Sequence, residues 1–115
     1  MKPKPYNGGR WTTARFWGFL RSSLRSASVR WGPIQDARKA ARRAYSGPNA
    51  RQKWEYQCAG CGRWFKGTDC QVDHVEPVGA LKDWADLPGF CQRLFCEVNG
   101  LRVLCSSCHE KRRGK

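Results

Sequence analysis

The first 53 residues of this chain contain one acidic side chain, Asp36. Against it stand 13 Lys and Arg, a net charge of +12, whereas residues 54–115 carry 9 bases and 8 acids, only +1 of the total of +13. A segment so short of carboxylates is suited to lie on a polyanion, and the nearly neutral remainder is suited to act on what is held. A solvated, solubilising extension is the plainer reading of the same charge. Long apolar runs are missing too: none approaches the roughly 20 residues of a transmembrane helix, and no apolar leader follows Met1-Lys2-Pro3-Lys4-Pro5. Neither membrane insertion nor export is expected. An even cysteine count is also lacking. Seven thiols do not make a disulfide framework, and a reducing cytoplasm suits them better.

A chain of 115 residues builds one compact domain, or one small domain with an extension, and about 70 residues rarely make a self-sufficient core. A bound metal would supply the missing stability. The turn Ser46-Gly47-Pro48-Asn49 marks the expected boundary. This divides the chain into a basic, mostly helical arm over residues 1–50 and a second unit over 51–115.

Within the arm, the Pro- and Gly-rich first ten residues lack periodicity and read as a disordered lead-in. Trp17, Leu20, Leu24, Ala27 and Trp31 then recur at the spacing of one helical face, with Arg21 and Arg25 one turn apart beside it. Pro33 opens a second expected helix with Ile34, Ala37, Ala41 and Ala44 on one side. Arg38 with Arg42, and Lys39 with Arg43, stand at i,i+4 on that helix, where like charges repel unless something negative lies across them. DNA phosphate is the expected partner for Arg21, Arg25, Arg38, Lys39, Arg42 and Arg43. The apolar stripe is expected to pack against protein.

The second unit opens with Trp54-Glu55-Tyr56-Gln57, alternating as a short strand, then Cys58-Ala59-Gly60-Cys61-Gly62, then Arg63 to Lys66 as the return strand. Cys105 and Cys108 form a second Cys-x-x-Cys, and four thiols so spaced suit a tetrahedral structural Zn²⁺. A redox pair would be expected to open a helix of a βαβ unit, and no such pattern follows. Cys70, Cys91 and Cys96 fall outside the spacing and read as free buried thiols. Gln71 to Val75 reads as a strand carrying Asp73 and His74, and Leu101 to Leu104 as its partner. From Ser106 a helix carries His109. Between the two strands, residues 81–87 suggest helical turns, and Pro88 starts a helix with Phe90, Leu94 and Val98 inward.

Val72-Asp73-His74-Val75, Asn99 and Cys108-His109, bracketed by the two Cys-x-x-Cys pairs, resemble the HNH endonuclease family in the small zinc-ribbon form often encoded by bacteriophages. The resemblance covers about residues 54 to 113, with Gly100 standing where the family usually runs directly from Asn to Leu. It implies an α+β fold: a small zinc-stabilised ββα-metal domain preceded here by a basic helical N-terminal extension. It also implies hydrolysis of DNA phosphodiester bonds, with Asp73 and His109 holding one catalytic ion and Asn99 bracing the loop that orients His74. Oxygen and nitrogen ligands suit Mn²⁺ or Ni²⁺ at least as well as Mg²⁺. His74 is the expected general base, its ordinary pKa being close to working pH. A phage-encoded chain would work in the host cytoplasm, as a monomer or weak dimer.

Adjacent strand residues point to opposite faces, so Asp73 and His74 reach one phosphate only where the strand ends, bulges or twists. Asp73 could instead orient a zinc-ligating His74, or His74 could fill a core position. Two other functions fit the same residues: a non-catalytic zinc-containing DNA-binding module, and an RNA-directed nuclease or binder.

Overall fold

The computed structural model describes residues 3–113. In chain order the elements are α1 (Thr13–Ser28), α2 (Gly32–Ala40), β1 (Arg42–Ala44), β2 (Trp54–Gln57), β3 (Trp64–Phe65), β4 (Cys70–His74), α3 (Leu87–Leu94), β5 (Leu101–Cys105) and α4 (Ser106–Arg113). The fold is a small α+β arrangement with two antiparallel sheets, β1–β2–β3 and β4–β5. No helix among the described residues is long and apolar enough to cross a membrane.

The chain packs as two compact units, one of residues 1–31 with 77–95 and the other of 32–76 with 96–115. This differs from the division at residue 50 expected from charge, because side-chain packing and not charge decides what each helix joins. In the first unit, Thr12 caps α1 by accepting from Arg15 N–H at 3.2 Å. The α1 stripe then buries Trp17 with Val78, Leu81, Phe90 and Leu94, flanked by Leu20 and Leu24. Trp31 meets Phe95 edge-on at 5.6 Å. The expectation that the stripe packs on protein is met, with the 77–95 segment as its partner. Residues 6–11 are not a loose lead-in: Tyr6 bridges to Trp11 and stacks on Phe16 with centroids 4.1 Å apart.

Two helix expectations need correction. α2 stops at Ala40, since Arg42–Ala44 pairs with Trp54–Tyr56 as a strand and Gln57 N–H donates to Ala41 O at 2.9 Å. Arg42 and Arg43 are therefore not on a helix, and the repelling i,i+4 pairs do not exist. Their guanidinium groups lie 3.9 Å over Trp54 and 3.7 Å over Trp64. α3 ends at Leu94 rather than continuing to Val98, which is 43% exposed. The chain turns through a 3-10 segment, Val98–Gly100, where a Cβ on Gly100 would stand 2.9 Å from Cys96 Sγ.

In the second unit, β2 and β3 form the expected hairpin, with Tyr56 opposite Phe65 and Gln57 opposite Trp64. β4 and β5 pair over their whole length, from Cys70 opposite Cys105 to His74 opposite Leu101. Buried Leu101, Val103, Leu104 and Cys105 show that β5 is covered on both faces. α2 and α4 both pack against it.

Candidate metal centre and active site

The two Cys-x-x-Cys segments converge. Sγ atoms of Cys58, Cys61, Cys105 and Cys108 all lie within 4.8 Å of one another, near the roughly 3.8 Å between sulfurs in a tetrahedral zinc site with bonds of about 2.3 Å. The donor set and spacing fit a structural metal ion. Local backbone explains the convergence: Gly60 and Cys61 N–H groups turn toward Cys58 Sγ at 3.3 and 3.5 Å. Gly62 takes φ +76°, a left-handed conformation that glycine adopts freely. Gly60 has its own requirement, because a Cβ there would lie 3.0 Å from Cys108 Sγ. Ala59 N–H donates to Val103 O at 2.8 Å, fastening the knuckle to β5.

Proton sharing within the cluster is uneven. Burial pushes the Cys58 thiol up, but N–H donation from Cys105, Cys61 and Gly60, with the Cys108 thiol, outweighs it and holds Cys58 at about 6. Cys108 is pushed up to about 12, first by its hydrogen bonds to Cys58 and Cys105. One thiolate stabilised by its neighbours' protons is the arrangement a soft divalent ion replaces on binding. Cys70 stands apart and buried, and desolvation raises its thiol to about 11. Cys91 and Cys96 are half-buried rather than fully buried as expected, and neither is in a disulfide.

A second cluster forms where α4 returns over β4. Asp73 Oδ1 lies 3.8 Å from His109 Nε2. Oδ2 is ion-paired with Arg112 Nη1 at 3.0 Å and accepts from Arg102 Nε at 3.4 Å. Arg112 also donates through Nη2 to Val75 O at 2.9 Å, so one guanidinium holds both the carboxylate and the residue after His74. The carboxylate is 14% exposed and the imidazole 20%. One oxygen is thus fixed by cations while the other faces the His109 imidazole.

Arg102 and Arg112 were not singled out from sequence. Arg102 becomes visible once the strands are registered, being directly opposite Asp73, and Arg112 stands three residues after His109, on the same helical face. His74 closes the β4 ladder opposite Leu101, so its side chain leaves the face opposite to that of Asp73. The strand ends there, and Val75 N–H donates to Gly100 O at 2.9 Å. Asn99 is exposed on the turn that supplies that carbonyl.

The expected DNA-contacting residues divide. Arg21 and Arg25 are exposed on α1, and Lys39 is exposed on α2. Arg38 is half-buried, 4.7 Å over the Tyr56 ring, and Arg43 is paired with Glu55 at 3.3 Å. Comparison of the chain with protein-family models, curated proteins and solved structures returns no match.

Proposed function

We propose that this chain is a metal-dependent endonuclease of the HNH type that hydrolyses DNA phosphodiester bonds. The observation that carries the reading is the approach of Asp73 Oδ1 to His109 Nε2 at 3.8 Å, on a strand–strand–helix frame next to a four-thiol cluster. Adjacent ligands of an octahedral ion with bonds of about 2.1 Å stand about 3 Å apart, so carboxylate and imidazole suit one Mg²⁺, Mn²⁺ or Ni²⁺ ion. Such an ion supplies the positive charge that stabilises developing negative charge on phosphate and leaving oxygen.

The chain's own groups divide the remaining work. His74, at the end of β4, takes the proton from the attacking water. A phosphate lying across that strand end meets His74 on one side and the Asp73–His109 pair on the other. Arg102 and Arg112 hold the carboxylate in one orientation, and the turn of Asn99 and Gly100 steadies the exit from β4. Structural zinc at the four thiols fixes the start of α4, because Cys108 and His109 are adjacent. Arg21, Arg25 and Lys39, all exposed, would contact phosphates.

The two guanidinium contacts on Oδ2 favour one second reading, a zinc-containing DNA-binding module in which Asp73 is a structural anion. Supercoiled plasmid incubated with the protein separates the two. Nicked or linear DNA in Mg²⁺ or Mn²⁺, and none in EDTA, is expected. Retarded but uncut plasmid under all three conditions would establish the binding module instead.

A further inference from the structure

We infer that one face of the β1–β2–β3 sheet is a binding groove for single-stranded DNA. Residues directly opposite in an antiparallel pair share a face, and the register places Arg42, Tyr56 and Phe65 together with Ala44 and Trp54. Glu55, the one carboxylate of these strands, lies opposite Arg43 on the other face. A groove of about 460 Å³ opens on the Trp54–Tyr56 side, between the strands, the 49–52 loop and the segment after β3. Arg38, Arg51 and Lys66 line it with Trp54, Tyr56 and Gln52, and no carboxylate is among its lining residues.

The floor is built rather than incidental. Arg38 lies 4.7 Å over Tyr56 and donates to Gly67 O at 3.2 Å and Cys70 O at 3.5 Å. Gly67 leaves it room, since a Cβ there would stand 2.9 Å from Arg38 Nη2 and 3.1 Å from Tyr56 Cε1. Arg42 braces Trp54 from 3.9 Å, yet the indole remains 39% exposed. Exposed Arg51 and Lys66 add charge at the rim.

Cations beside the exposed Trp54 indole and the half-buried Tyr56 ring, with no acid, match the chemistry of an unpaired strand, whose phosphates and base faces are both available. A duplex offers the same phosphates but keeps its bases stacked, leaving Trp54 and Tyr56 without partners. Two residues apart on one strand, Trp54 and Tyr56 leave the backbone about 7 Å apart. That separation suits successive bases of an extended strand, not bases stacked at about 3.4 Å.

The groove lies outside the Asp73–His109 site and does not rest on its chemistry. Binding is read by fluorescence anisotropy on the full, zinc-loaded chain without added Mg²⁺ or Mn²⁺, using labelled 12-mer oligothymidylate, a 12-base-pair duplex and a 12-mer oligouridylate. Trp54→Ala is expected to weaken oligothymidylate binding roughly 5- to 100-fold and duplex binding less than about twofold, while Trp54→Phe keeps most of the affinity. Arg51→Gln with Lys66→Gln, at exposed positions that leave the fold alone, should lower the single-strand salt slope by about 1.4. Unchanged oligothymidylate affinity in both Trp54→Ala and the double variant would overturn the assignment. So would an equal loss on duplex, or oligouridylate bound more than about tenfold tighter than oligothymidylate.

Discussion

Cys105→Ser is expected to release zinc and unfold the second unit. Cys105 is the last residue of β5, 3% exposed, and it packs with Cys58 and Leu104 in the buried cluster beside Phe65 and Cys108. Among the described residues that cluster holds three buried residues, and the unit adds to them only Ala37, Cys70, Leu101 and Val103, a small core to stand alone. Binding of structural zinc contributes about 10–16 kcal/mol in small domains, as much as the whole stability of a typical domain. Losing one of four ligands therefore removes most of what folds this unit. Cys58→Ser should behave alike, since Cys58 is 1% exposed and receives two backbone N–H groups. Cys91→Ser and Cys96→Ser, outside the cluster, should keep one zinc per chain and a cooperative melt. Metal analysis with circular dichroism reads both quantities, and equal sensitivity at Cys91 would redraw the site.

His74→Ala is expected to lower cleavage by about 10²- to 10⁴-fold, the usual contribution of a general base, with zinc content and DNA affinity unchanged. Asp73→Ala and His109→Ala should also inactivate, but by removing ligands of the catalytic ion. Raised Mn²⁺ should therefore restore part of the activity of His109→Ala and none of that of His74→Ala. Asp73→Ala carries an added cost, because Arg102 and Arg112 lose their shared partner. Both arginines are partly solvated, at 34% and 24% exposure, so that cost stays near about 1 kcal/mol. Equal Mn²⁺ rescue of His74→Ala and His109→Ala would contradict the division between base and ligands.

What could be read from the sequence was local. Alternation marked β2, the apolar runs at 71–75 and 101–104 fell within one residue of β4 and β5, and Cys-x-x-Cys spacing marked the thiol cluster, because these patterns are set by neighbours in the chain. The end of α2 was not readable. Ala and Arg around residue 41 favour helix, and only pairing of Arg42–Ala44 with Trp54–Tyr56 overrides them. Nor could charge show that α1 joins residues 77–95, a choice made by apolar contacts of Trp17 with Phe90 and Leu94. The guanidinium grip on Asp73 depends on a strand register and a helix return that no local pattern encodes.

The second ion can be tested by titrating Mn²⁺ into zinc-loaded protein and following the free-ion signal by electron paramagnetic resonance. One Mn²⁺ per chain is expected for the unsubstituted protein and for His74→Ala, with binding lost in Asp73→Ala and weakened in His109→Ala while zinc stays in place. Undiminished Mn²⁺ binding by Asp73→Ala, or none by the zinc-loaded unsubstituted chain, would contradict a catalytic ion held by Asp73 and His109.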